Sequence, residues 1–201
     1  MLDPVMMRLV APPLKAVARE LAARGVRADH ITVTGFALGC VGAGFIASGL
    51  FGWGLAFIAL NRLCDGLDGA VARLTARTDF GGFLDIVLDF VFYGLVPLAF
   101  AVADRGNALV AAALSASFMA SGGSFLAFAA IASKRGLSAD SHGPKSFFYA
   151  RGLAEGTETF AFFALVCLVP AWFAPAGVAF AALCWLTAIQ RVAMAVRVLK
   201  D

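Results

Sequence analysis

The chain has 201 residues, enough for one domain, and 61% of them are apolar while 14% are charged, against about 25% in soluble domains. With a mean hydropathy of +0.87 it exposes too much apolar surface to fold in water, so the bilayer is its solvent. A net charge of +3 is too small to imply nucleic acid, and four scattered cysteines without a CxxC or Cys/His cluster exclude a zinc site and a disulfide framework.

From the N-terminus, residues 3–24 place Leu14, Val17, Ala18 and Leu21 on one helical face, with Lys15, Arg19 and Glu20 elsewhere. This pattern suits either a helix lying in the membrane interface or one packed on the protein's own flank. Pro12 and Pro13 are expected to divide an entry segment from that helix. Together with Arg8, Lys15, Arg19 and Arg24 they interrupt any apolar core, so a cleavable signal peptide is not expected.

Six apolar segments follow, at about 31–50, 52–73, 82–102, 108–132, 159–172 and 178–199. Most approach the ~20 residues of a spanning helix; the fifth is short. One set of connections holds Arg24, Arg27, Arg73, Arg77, Lys134, Arg135, Lys145, Arg151, Arg197 and Lys200, whereas the opposite set holds Arg105. The positive-inside rule puts the rich side in the cytoplasm. The expected fold is an all-α integral membrane domain over residues 1–201. An interfacial helix and linker (1–30) precede six transmembrane helices (31–201), in the inner or cytoplasmic membrane with both termini cytoplasmic.

Charge inside the apolar runs is concentrated between Asn61 and Asp89. Asp65 and Asp68 stand three apart, Asp85 and Asp89 four apart, so each pair shares a helix face at the cytoplasmic rim. Four carboxylates at one point repel and need cations. Structural salt bridges would draw on Arg62, Arg73 or Arg191; a cation or proton transporter would spread its acids through the membrane depth. Metal binding accounts for clustering, spacing and level together. An all-oxygen ligand set favours two Mg²⁺ or Mn²⁺ ions, or Ca²⁺, clamping a diphosphate. Gly69, Gly81 and Gly82 either admit a bulky ligand or serve close helix packing.

The pattern Asp65-x2-Asp68-Gly69-x2-Ala72-Arg73-x7-Gly81-x3-Asp85-x3-Asp89 resembles the signature of the CDP-alcohol phosphotransferase (CDP-alcohol phosphatidyltransferase) family at every fixed position. The resemblance implies a phospholipid-biosynthetic transferase: the hydroxyl of a small alcohol displaces CMP from a CDP-linked lipid, usually CDP-diacylglycerol. It implies that Asp65, Asp68 and Asp85 hold the metals, with Asp89 near the second ion and acting as general base. Gly69, Ala72 and Arg73 would border the nucleotide along with Asp68, and a homodimer is expected.

Where many members begin the first spanning helix with Pro-Asn and then threonine, this chain has Ala28-Asp29-His30-Ile31-Thr32. Thr32 keeps the nucleotide-facing position, while His30 reads as a surface residue of the cap region. Asn61 either contacts nucleotide or satisfies backbone within the bundle. For the acceptor, Lys145, Arg151 and Arg191 are candidates to receive a phosphorylated alcohol such as glycerol 3-phosphate or inositol phosphate. Lys134 and Arg135 read as surface charge. Glu155 and Glu158 either pair with those cations, receive an amine such as serine or ethanolamine, or cap a helix N-terminus.

Overall fold

The computed structural model describes residues 3–136 and 152–200, and every regular element among them is helical. In chain order these are α1 (Asp3–Ala23), α2 (Ala28–Ala47), α3 (Phe51–Leu74), α4 (Asp79–Ala103), α5 (Ala108–Lys134), α6 (Gly156–Leu168) and α7 (Phe173–Leu199). Short 3₁₀ turns at Arg105–Asn107 and Pro170–Trp172 lead into α5 and α7.

The ends of these helices follow from local chemistry. Gly25 and Gly49 take left-handed backbone (φ 74° and 78°) just past α1 and α2. There the next amide turns back, Val26 N to Leu21 O at 3.0 Å and Leu50 N to Phe45 O at 2.8 Å, closing carbonyls the helices leave open. Thr78 caps α4 by accepting from the Gly81 amide at 3.0 Å. At α6, Glu155 and Glu158 form a reciprocal capping box. That cap starts the helix at Gly156 rather than near 159, and the Val169–Pro170 break ends it at Leu168, so α6 has 13 residues and α7 begins at Phe173.

The expected break at Pro12–Pro13 is absent: α1 runs through both prolines. Proline φ is compatible with a helix, and the cost there is two missing amide donors. α1 packs along α3, with Ala18 fully buried against Ile31, Ala70 and Val71, and with Leu21 beside them. Val17 points away and is exposed.

The main core is aromatic. Phe100 stacks on Phe173 (centroids 4.4 Å apart) and on Phe51 (5.5 Å), while Phe92 meets Phe163 edge-on at 6.1 Å. Around it, α2 lies against α3 and α4, and α5 against α4 and α7. Outside the core, large apolar side chains such as Leu109, Met119 and Leu168 are at least 70% exposed, the arrangement of a bundle solvated by lipid. Among the described residues four helices, α2, α4, α5 and α7 with the 3₁₀ turns before the last two, are long and apolar enough to cross a membrane. The chain is an all-α integral membrane protein. Six expected crossings meet four helices of that kind because α3 carries Arg62, Asp65, Asp68 and Arg73 and α6 is short. None of the four cysteines is disulfide-bonded; Cys167 and Cys184 are buried in the core.

The α2–α3 seam is close. A Cβ at Gly35 would stand 2.6 Å from Cys64 Cβ, whereas one at Gly44 would meet nothing within 4 Å. Gly35→Ala is therefore expected to destabilise the bundle by about 1–3 kcal/mol, and Gly44→Ala to leave it unchanged or slightly better. Thermal unfolding of the two variants in detergent checks this, with a drop of several degrees for the first alone.

Candidate active site

The C-terminal half of α3 and the N-terminal half of α4 flank the turn at 75–78, and their acidic faces come together. One carboxylate oxygen each from Asp65, Asp85 and Asp89 lies within 4.8 Å of the other two. Asp68, one turn on, is buried, and its Oδ2 accepts the Thr32 hydroxyl at 2.6 Å. Spacing within each helix thus becomes proximity between helices, with Asp68 drawn toward α2.

Beside this cluster opens a cleft of about 280 Å³, lined by Thr32, Asp68, Gly69, Ala72, Arg73, Gly81 and Asp85. A smaller neighbouring space reaches Asp65, Asp89 and Arg62, and Thr32, Asp68 and Asp85 line both. Glycine at 81 is a matter of room: a Cβ there would lie 2.9 Å from both Asp29 Oδ1 and Thr78 Oγ1. At Gly69 the nearest atom would be Arg73 Nη1 at 3.3 Å, on the cleft side, and at Gly82 nothing lies within 4 Å. Asp29 lines the cleft and pairs with Arg27 at 2.9 Å; His30 is exposed.

Asn61 is buried and engaged within the bundle. Its Nδ2 donates to the Gly35 carbonyl at 2.8 Å and its Oδ1 accepts from Arg62 Nε at 2.8 Å. Arg62 is a further member of the site, one that the spacing of the aspartates does not mark. Arg62 Nη2 donates to Asp89 Oδ1 at 2.7 Å, and its Nη1 lies 3.6 Å from Asp65. The same Nη1 donates to the Tyr93 hydroxyl at 3.2 Å, and the guanidinium sits 4.8 Å from the Phe92 ring centroid. Its place three residues before Asp65, on the same helical face, is the signal in the sequence that points to it.

A second cavity, about 370 Å³, lies between α4, α5, α7 and the segment entering α6. Arg191 lines it, 8% exposed, with Nη1 donating to the Ser121 carbonyl at 2.7 Å and to its hydroxyl at 3.1 Å. Phe125 faces its guanidinium at 5.4 Å. Thr187, one turn before Arg191, accepts the amides of Leu153 and Ala154 at 3.1 and 3.2 Å and so ties the α6 entry to α7. Gly152 fits under this contact, since a Cβ would lie 2.3 Å from Thr187 Cγ2 and 3.0 Å from Arg191 Nη2. Glu155 and Glu158 cap α6, each accepting a backbone amide of its N-terminus, and Glu155 also borders the cavity that Arg191 lines. Lys145 and Arg151 lie outside the described residues. Lys134 and Arg135 are exposed at the end of α5.

Comparison with known proteins gives a consistent result. The chain is 48% identical over 193 residues to the inner membrane protein YnjF of Escherichia coli, covering 96% of this chain and 94% of that one. Over 94 residues it is 42% identical to archaetidylinositol phosphate synthase of Methanothermobacter thermautotrophicus, 46% of this chain and 45% of that protein. Its fold matches the crystal structure of Mycobacterium tuberculosis phosphatidylinositol phosphate synthase with CDP-DAG bound, with a TM-score of 0.63 at 23% identity over 93% of this chain and 92% of that one. A second structure of that protein, in complex with manganese and citrate, matches equally well over 87% of its length. The sequence profile of CDP-alcohol phosphatidyltransferases matches residues 26–198, and the chain belongs to that family.

Proposed function

We propose that the protein transfers a phosphatidyl group from CDP-diacylglycerol to the hydroxyl of a small alcohol and releases CMP. The observation that carries this reading is the convergence of Asp65, Asp85 and Asp89 beside a cleft walled by Asp68, Gly69, Ala72 and Arg73. Carboxylate oxygens from two helices within 4.8 Å, with no His or Cys among them, fit hard divalent cations. In this reading Asp65, Asp68, Asp85 and Asp89 hold two Mg²⁺ or Mn²⁺ ions. The manganese complex of the Mycobacterium tuberculosis protein and its complex with CDP-DAG support that choice of ion and donor. Held by these four carboxylates, such ions would supply positive charge against the diphosphate and the departing CMP phosphate.

The chain's own groups do the rest. Gly69 and Ala72 leave room for cytosine and ribose, Thr32 lines the same cleft, and Arg73 sets a fixed positive charge against the phosphates. Asp89 accepts the proton of the alcohol as its oxygen bonds to the phosphorus that carries the diacylglycerol. The bond from that phosphorus to the CMP oxygen breaks, and CMP leaves with its electron pair.

The acceptor belongs in the second cavity, where Arg191 is the buried cation suited to a phosphorylated alcohol. Tyr93 lines that cavity and also accepts from Arg62 in the carboxylate cluster, so one ring joins the two spaces.

The site faces the cytoplasm in this reading, with α3 and α6 completing six crossings and α1 in the membrane interface. At 1.5 Å per residue the 13 residues of α6 span only about 20 Å. The assembly is a homodimer, as the family resemblance implies.

Five outcomes are expected. Purified protein should release CMP from CDP-diacylglycerol with Mg²⁺ or Mn²⁺ and an alcohol from a panel of phosphorylated and unphosphorylated acceptors, and EDTA should stop it. Asp89→Asn should lower turnover at least about 10²-fold while Mn²⁺ binding largely persists; no CMP release with any acceptor sinks the proposal. Arg191→Ala should raise KM for a phosphorylated acceptor roughly tenfold or more with KM for the donor little changed, as initial rates at varied acceptor will show. In sealed inner-membrane vesicles, a cysteine replacing Arg77 should react with an impermeant maleimide only from the cytoplasmic side and one replacing Gly106 only from the other. Crosslinking the same vesicles should give a band of twice the chain's mass.

A further inference from the structure

All three guanidinium nitrogens of Arg62 have fixed partners. Nε donates to Asn61 Oδ1 at 2.8 Å, Nη1 to the Tyr93 hydroxyl at 3.2 Å, and Nη2 to Asp89 Oδ1 at 2.7 Å. The plane is also covered by the Phe92 and Tyr93 rings, at 4.8 and 5.4 Å, leaving the side chain 15% exposed. Asn61 cannot turn to release it without losing its own bond to the Gly35 carbonyl at 2.8 Å. The arginine is therefore seated by α2, α3 and α4 together, and at any working pH it stays charged.

A guanidinium held in this way acts on the carboxylates as a cation does. It takes up Asp89 Oδ1 with a short charge-assisted bond and stands 3.6 Å from Asp65. Asp65, Asp68, Asp85 and Asp89 with Arg62 carry a net charge of three negatives rather than four. Two divalent ions would then leave the site one charge positive, a state suited to an incoming diphosphate and poor without one.

We infer that Arg62 is a resident cation of the carboxylate cluster, a positioning residue that orients Asp89 and weakens the cluster's hold on divalent ions in the absence of the phosphate-bearing donor. The inference takes from the proposed function only that these carboxylates bind such ions.

The test is Mn²⁺ binding to the purified full chain in detergent, read from the free-ion electron paramagnetic resonance signal with no lipid substrate present. In Arg62→Met and Arg62→Gln the free Mn²⁺ needed for half-occupancy should fall by about tenfold or more, and added Mn²⁺ should raise Tm more than in the parent protein. Arg62→Lys keeps the charge and should stay within roughly threefold of the parent. Equal half-occupancy in the parent and both neutral variants overturns the inference. A lysine variant that behaves like the neutral ones overturns it as well, because charge would then not be the cause. If neither neutral variant folds even in saturating Mn²⁺, the ion cannot stand in for the guanidinium, and the inference also fails. None of these readings depends on catalysis, so absent CMP release would count against the proposed function and leave this result standing.

Discussion

The approach of α2 to α3 governs the geometry of everything at the acidic end of the bundle. A side chain at Gly35 on α2 would run into Cys64, and one at Gly54 on α3 would run into Ile46, so the two helices meet at a distance that only hydrogen permits. That closeness places the Gly35 carbonyl on Asn61, and Asn61 in turn fixes Arg62, which fixes Asp89. One turn toward the N-terminus of α2, it places the Thr32 hydroxyl on Asp68. Two of the four aspartates are thus oriented through contacts that start on a helix carrying none of the four. Loosening the seam by a few tenths of an ångström would disturb both relays at once, although neither includes a catalytic atom at its origin.

The same end of the molecule must solve an electrostatic problem. Clustered carboxylates in a bundle this apolar are costly unless paired or bonded. The described residues answer with three kinds of partner: a hydroxyl on Asp68, an arginine on Asp65 and Asp89, and the open cleft beside Asp85. No buried side-chain polar atom among the described residues lacks a hydrogen-bond partner, so the remaining deficit is one of charge and not of hydrogen bonding. A deficit of charge with oxygen ligands already oriented is the state in which a divalent ion gains most.

Much of this was legible in the residues, and the parts that were not have a common cause. Apolar run lengths located the helices, and the three- and four-residue spacings of the aspartates put them on faces that do meet, because both follow from the period of a single helix. Partners across helices are not periodic. Nothing in the spacing says that Asn61 would turn its amide to Gly35, that Arg62 would lie over Phe92, or that Thr187 would anchor the α6 entry. Even so, Arg62 three residues before Asp65 is a local signal, on the same helical face as the acid it meets. The start of α6 at Gly156 precedes the apolar run for a related reason: hydropathy marks Phe160 onward, whereas the helix is set by Glu155 and Glu158, polar residues acting on backbone.

The two cavities are joined through α4. Asp89 and Tyr93 are four residues apart on one face of that helix, the first in the carboxylate cluster and the second on the wall of the Arg191 cavity. In the proposed reaction the nucleophile must come from the side away from the leaving CMP; the cleft lined by Gly69 and Ala72 shares Thr32, Asp68 and Asp85 with the smaller space that Asp89 lines. An acceptor held by Arg191 would meet Asp89 from the Tyr93 side, while a nucleotide in the cleft would leave from the other. Arg62, bonded to both Asp89 and Tyr93, stands where those two approaches converge. In the proposed reaction its rigidity would bear on the acceptor as well as on the ions, because one guanidinium bonds both Asp89 and the ring that walls the Arg191 cavity.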